Sequence, residues 1–263
     1  MRLRLVIVAG LAALLGACAV PEFRLDARIG ARETREYRLV ADAEVRIAAS
    51  SVSSVERTRL EAKTTVTTQS QTAAGTVLLL TITPVHLQRN GNAATVPAAQ
   101  QVLIEVAGGR VTRVTNVEGS TELETAALED LVPLIGPPLP PGRVHLGDRW
   151  TATPASPAGV PAGVQQVRLA ALRVVGGYDC AVVALSTRRP VVQERTIGGT
   201  PLRLQGVEFG AGEIAFAFRE GMPVSLRSTG EARLGVSGAT ASGGSVVIRT
   251  VTTLTLLRRS QTP

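Results

Sequence analysis

LVADAEVRI, residues 39–47, alternates strictly: Leu39, Ala41, Ala43, Val45 and Ile47 fall on one side, Asp42, Glu44 and Arg46 on the other. A period of two is the mark of a half-buried β-strand; in a helix these residues would scatter around the axis. The rhythm continues along the chain. RLEAKTTVTTQ, from Arg59, sets Leu60, Ala62 and Val66 against Glu61, Lys63 and Thr65, and EIAFAF sets Ile214, Phe216 and Phe218 against Ala215 and Ala217. TVLLLTI is apolar on both sides across Leu78, Leu79 and Leu80, as a strand covered on both faces should be. Turn signals punctuate the runs at Ala74-Gly75, Asn90-Gly91, Gly108-Gly109, Gly176-Gly177, Glu220-Gly221 and Gly243-Gly244. Asn-Gly is the strongest, because both central positions of a tight hairpin turn need positive φ. About eleven strands fit, mostly antiparallel and joined as hairpins.

One segment breaks the pattern. In STELETAALEDLVPLIG, Thr121 and Glu124 make a capping box. Leu123, Ala127, Leu128, Leu131 and Val132 then share a helical face, and Pro133 ends the helix. GPPLPPGRVHLGDRW follows as an extended, semi-rigid connector. The stretches on either side echo one another in order: Tyr37 with Trp150, Val55 onward with Val164 onward, Val102 onward with Ile214 onward. A duplicated β-meander explains the similar offsets. The expected organisation is a signal peptide over 1–17, a lipidated N-terminus and tether over 18–36, a first meander over 37–120, helix and connector over 121–149, a second meander over 150–259 and a tail over 260–263.

A sheet of eleven strands cannot stay flat, so the expected fold is mainly β. It is a strongly curved, half-barrel-like antiparallel sheet with one central helix, or alternatively a two-layer β-sandwich. Leu78, Leu80, Ile214, Phe216 and Phe218 then either line a concavity that accepts an apolar ligand or fill a core. Periodicity alone leaves both open.

The first residues set the address. A basic start at Arg2 and Arg4, an apolar run from Leu5 to Leu15 and the small Gly16 and Ala17 form the layout of a secretory signal peptide. Leu15-Gly16-Ala17-Cys18 resembles the lipobox of bacterial lipoproteins. The resemblance implies cleavage before Cys18, diacylation of that cysteine, and anchoring at the extracytoplasmic face of the cell membrane or outer membrane. Two acyl chains suffice for stable anchoring, because each buried methylene contributes about 0.8 kcal/mol.

Removing residues 1–17, with two arginines and no acid, lowers the formal charge from +7 to +5. Lys63 is the sole lysine; every other basic residue is arginine. Two readings of that bias stay open, phosphate recognition by guanidinium forks and nucleotide composition of the genome. Aromatics are only 3% of residues, too few for the stacking platforms of nucleic-acid binding. Cys180 opens an apolar strand and reads as a buried thiol. His86 and His145 stand alone, without ligands at metal-binding spacing. No nucleophile elbow occurs, and GAGEIA (210–215) leads into a strand, not the helix a dinucleotide needs. No enzyme, cofactor, metal site or nucleic-acid partner is expected.

The order of lipobox, long meander, helix and PPLPPGRVHLGDRW is similar to a bacterial lipoprotein family of unknown function, in which a proline-rich stretch leads into Gly-Asp-x-Trp, here Gly147-Asp148-Arg149-Trp150. More distantly it resembles the half-barrel lipoprotein carriers and mycobacterial lipid-binding lipoproteins. The resemblance implies a membrane-anchored protein that holds an apolar small molecule or lipid, or else a scaffold that contacts another envelope protein.

Overall fold

The computed structural model describes residues 22–49, 52–107, 110–118, 137–153, 163–197, 200–238 and 241–261. Its strands are β1 (Phe23–Arg24), β2 (Glu33–Ala49), β3 (Val52–Thr72), β4 (Gly75–Arg89), β5 (Asn92–Ala93), β6 (Gln100–Ala107) and β7 (Arg110–Glu118). The second half of the chain adds β8 (Arg143–Val144), β9 (Arg149–Ala152), β10 (Val164–Val175), β11 (Tyr178–Ile197), β12 (Thr200–Ala217), β13 (Met222–Gly238) and β14 (Ala241–Gln261). All but β1 and β8 join one open antiparallel sheet in the order β7-β6-β4-β3-β2-β14-β13-β12-β11-β10-β9, with β5 attached to β4. Eleven strands thus form the path, in a single sheet and not the two layers of a sandwich. The two runs, β2 to β7 and β9 to β14, are each a meander, and the first and last long strands, β2 and β14, join them.

Among the described residues there is no helix; the expected one over 121–132 lies outside them. So do the Gly108-Gly109 turn and the signal peptide with Cys18. Asn90 and Gly91 both take positive φ (52° and 83°), as do Gly176 and Gly177 (58° and 85°), so each pair closes a two-residue hairpin. Two of the expected turns shift. The first is made by residues 73 and 74, with Thr72 opposite Gly75; a Cβ on Gly75 would lie 2.6 Å from the Val106 carbonyl oxygen. Gly243 and Gly244 sit inside β14, where the register with β13 slips after Val236 and Gly243 takes φ 67°. Ser242 and Gly243 lie opposite Ser237 there, a bulge that gives Gly243 the same conformational reason as a turn would, while Gly244 pairs with Val236.

Successive residues alternate between an inner and an outer face. Inward are Tyr37 and Leu39 of β2, Ala62 and Val66 of β3, Leu78, Leu80 and Ile82 of β4, and Val102 and Ile104 of β6. Val167, Leu169, Val183, Ile214, Phe216, Leu226 and Leu254 complete the core from the second meander. From β6 to β10 is eight strand spacings, about 38 Å if flat at about 4.8 Å each. Strand twist accumulated over that width curls a sheet, and side chains on its concave side cover the apolar face. Among the described residues, the cover is the strap of residues 22–32 together with residues 137–150, which contribute Leu25, Val144, Phe23, Ile29, Leu139 and Trp150. β1 pairs with β8, and Phe23 meets Phe218 edge-on at 5.8 Å.

Residues expected to serve as a free tether therefore belong to the fold from Glu22 onward. The strap bridges both meanders. The Arg28 N–H donates to the Gly221 carbonyl (2.8 Å), while the Gly30 carbonyl accepts from Thr68 Oγ1 (2.9 Å). Gly221 is glycine for two reasons, a φ of 71° and the Arg28 backbone lying over it. The Gly-Asp-x-Trp element is a structural corner. Asp148 Oδ2 accepts the His145 N–H (2.8 Å), and Trp150 Nε1 donates to the Pro138 carbonyl (2.8 Å), which fastens the proline-rich stretch to the sheet.

The strap is also locked by buried charge. Glu33 Oε1 accepts from Arg35 Nε (2.6 Å) and Arg259 Nε (2.8 Å), and Oε2 accepts the Gly30 N–H (2.8 Å). Arg35 donates onward to the Arg28 carbonyl (2.6 Å). Burial acts to raise the Glu33 pKa, but the hydrogen bonds from Arg35 and Arg259 outweigh it and hold the carboxyl below its ordinary value. A folded pKa below the unfolded one means that stability is fully present above the unfolded value, about 4.3 for Glu, and is lost as pH falls through the folded one. Urea midpoints are accordingly expected to be flat from about pH 7 to about pH 5 in this group's contribution and to drop on further acidification. The Glu33→Gln chain should show less of that drop.

Candidate functional site

The expected ligand-lining residues lie at the curled base. Leu78, Leu80, Ile214 and Phe216 are at most 2% exposed and packed in the core, and Phe218 lies past the end of β12 against Phe23. Beside Leu78 is an enclosed space of about 10 Å³, lined by Ile29, Glu33, Arg35, Tyr37, Val66 and Thr68. That is room for about one water. Tyr37 donates from its hydroxyl to the Pro223 carbonyl (3.1 Å), and burial pushes its pKa up to about 12, so it stays neutral.

The strands are long enough to run on beyond this base. Above it the sheet narrows to β3-β2-β14-β13-β12-β11, since β4 stops at Arg89 opposite Thr58 and β10 begins at Val164 opposite Arg188. The pairing registers place two rows of small residues side by side on the inner face. One runs Ala41–Thr252–Ser228–Gly212, the other Ala43–Thr250–Gly230–Gly210–Thr187. Below them lies the bulky row Leu39–Leu254–Leu226–Ile214–Val183. Above them come the row Val45–Ile248–Ala232–Glu208–Arg189, whose last two members are ion-paired, and Ile47 with Val246 and Leu234. Small rows between bulky rows leave a strip with little side-chain volume over the backbone. It spans five strands, about 19 Å, with Leu60 and Leu87 packed together at one end and Gln165 bonded to Thr187 at the other. Glycine here is partly a steric need and partly open space. A Cβ on Gly212 would press on the Arg227 carbonyl at 2.9 Å, whereas one on Gly210 meets nothing closer than 3.7 Å.

The outer face of the same strands is charged. Arg57, Glu44, Arg249 and Glu231 alternate across four strands, and the row continues to Phe209, over which Arg188 stacks at 5.7 Å. Glu44 is bonded by Arg57 and Arg46, and Glu231 by Arg249 and Arg233; both carboxyls are held below their usual range by those hydrogen bonds. An open groove of about 530 Å³ lies here, between this ladder and the Asn90-Gly91 hairpin. Sequence reading placed Asp42, Glu44 and Arg46 outward but did not bring Arg57, Arg59 and Arg249 to them. The alternation of charge along each strand was visible; the register that aligns the strands was not.

His86 stands exposed on β4, and His145 lies in the corner before β9, its Nδ1 3.5 Å from Asp148 Oδ2. Cys180 is buried, and burial raises its thiol pKa. Among the described residues no group of three or more His, Cys, Asp or Glu is gathered as metal ligands.

No family model matches the chain, and no curated protein does. Solved structures do. A lipovitellin structure describing lipid–protein interactions matches with a TM-score of 0.53 at 14% identity, over 90% of this chain and 26% of that one. The chain thus spans about a quarter of lipovitellin's length and shares a fold with that part. An outer-membrane channel from Pseudomonas putida F1 matches at TM-score 0.31 and 8% identity, over 89% of this chain and 98% of that one. An exported Bacteroides fragilis protein with a YmcC-like fold matches at 0.19 and 8%, over 90% and 99%. Scores that low carry no argument about this chain.

Proposed function

We propose that this chain is an extracytoplasmic lipoprotein, held at a bacterial membrane by acyl chains on Cys18, whose non-catalytic role is to hold an apolar, lipid-class ligand in the small-residue groove of the inner face. The observation that carries the reading is the amphipathic upper sheet. Its outer face is a charge ladder, while its inner face offers Val45, Ile47, Val246 and Ile248 above a floor of Ala, Gly, Ser and Thr, with the Arg189–Glu208 ion pair confined to the β12–β11 side. Ile47 is 39% exposed although it points to the apolar side. Covering such a face gains about 25 cal/mol per Å² removed from water. The proposed ligand site therefore lies above the packed residues Leu78, Leu80, Ile214 and Phe216, where side chains leave room. The likeness to lipovitellin supplies the fold; the ligand class rests on the groove.

A test starts from the Cys18→Ser chain without its signal peptide, examined by native mass spectrometry. Copurifying lipid is expected. Gly210→Trp, which puts an indole into the groove at a position where a Cβ is tolerated, should reduce bound lipid roughly tenfold or more while leaving the urea midpoint within about 0.5 M. A lipid-free parent protein, or equal lipid in both, overturns the proposal. Palmitate labelling of cells, lost with Cys18→Ser, tests the anchor separately.

A second reading draws on a different feature. Among the described residues, Val52–Glu56 of β3 and Pro190–Ile197 of β11 each pair on one side only. Free edges accept a partner strand, as a scaffold contacting another envelope protein would. Crosslinking from those edges to one specific protein, with no lipid bound, favours this reading over the first.

A further inference from the structure

On the outer face, Glu44 takes Arg46 by its Nε (2.6 Å) and Arg57 by its Nε (2.9 Å), and Glu231 takes Arg249 by its Nε (2.9 Å). Each carboxylate fixes a guanidinium through its inner nitrogen. The two terminal nitrogens of each of these three arginines have no further partner among the described residues. The three side chains are 51–69% exposed and line the same open groove of about 530 Å³. Arg59 stands beside them, bonded to Asp42 (3.2 Å). Among the lining residues, four arginines against Asp42 and Glu44 leave a surplus of two positive charges.

We propose that this groove binds a phosphate group, gripped by the terminal nitrogens of Arg46, Arg57 and Arg249. A guanidinium presents paired donors at the spacing of phosphate oxygens, and lysine cannot reproduce that fork. The carboxylates do not compete for it, because they already occupy the Nε positions. Their role is positioning: they remove the rotamer freedom that a long side chain would otherwise lose on binding. Asn90 holds the wall of the groove, its Oδ1 accepting the Arg57 N–H at 2.8 Å and its own N–H donating to the Arg57 carbonyl at 2.8 Å. The site is separate from the inner groove and does not depend on a lipid being held there.

The phosphate has two sources, a free phosphorylated solute or a phospholipid headgroup, and the test separates them. Calorimetric titration of the purified full chain with inorganic phosphate is one arm. Flotation with phosphatidylcholine vesicles, with and without phosphatidylglycerol, is the other. Saturable heat with phosphate assigns a soluble ligand. Flotation that increases only with phosphatidylglycerol, without saturable heat from phosphate, assigns a headgroup. In whichever arm binds, the triple variant Arg46→Gln, Arg57→Gln, Arg249→Gln should lose it. The triple lysine variant, which keeps charge and ion pairs, should weaken it about tenfold with an unchanged melting temperature. No binding in either arm overturns the proposal. Undiminished binding by the glutamine variant does so too, and so does wild-type affinity in the lysine variant, since charge alone would then suffice.

Discussion

Phe216→Ala is expected to lower the unfolding free energy by about 3–5 kcal/mol, read from urea denaturation. The ring is fully buried, set between Ala181 of β11 and Pro223 of β13, at the point where the register with β13 slips after Ala215. Its neighbours cannot collapse into the space easily. The core cluster to which the ring belongs includes side chains from both meanders and from the strap, and its strand residues are fixed by pairing. Against a typical total of about 5–15 kcal/mol, the loss is a large share of stability. Phe209, on the outer face of the same strand, supplies the contrast. It is 47% exposed and stacks under Arg188, so Phe209→Ala should cost about 1 kcal/mol or less. Equal effects at the two positions would mean that the curled base is not the core.

Glu33→Gln carries the second large effect, about 3–5 kcal/mol. The cost comes from what is left behind. Arg35, whose side chain is 8% exposed, and Arg259, 28% exposed, lose the carboxylate that lies between them, and the amide cannot balance two cations. The same change loosens the strap at Gly30 and Arg28. Hydrogen exchange should therefore quicken first at the Arg28 and Gly30 amides, ahead of the upper strands. An outer-face carboxylate such as Glu231, with its arginines in solvent, should show little change on the same substitution.

These two residues also mark the limits of what the sequence discloses. Phe216 was legible: EIAFAF alternates, and burial of its larger face follows from that pattern. Whether the buried ring met a ligand or its own chain was not, because both environments demand the same apolar residues. Glu33 was illegible for a different reason. A charge in ETREYRLV reads as solvated, and only the arrival of Arg259 from the far end of the chain makes a buried triad of it. The strap left no periodic signal, since β1 has two residues and pairs with Arg143 and Val144, far along the chain. Asn90-Gly91 and Gly176-Gly177 were read correctly because a two-residue turn requires a particular backbone. Gly243-Gly244 was read as a turn because a bulge requires the same one. The groove needed register: Ala43, Thr250, Gly230 and Gly210 are ordinary singly, and only their alignment across four strands makes them a floor.

The pairing of β2 with β14 bears on the order in which the sheet assembles. Most of the final strand must lie beside the first long one before the two meanders become a single sheet, and Arg258 reaches back to Glu36 to fasten them. Until then the opening segments lack their partner, and such distant pairing is slow to form. The architecture thus makes the joining of its two halves a late event in folding, after each meander has had time to pair locally.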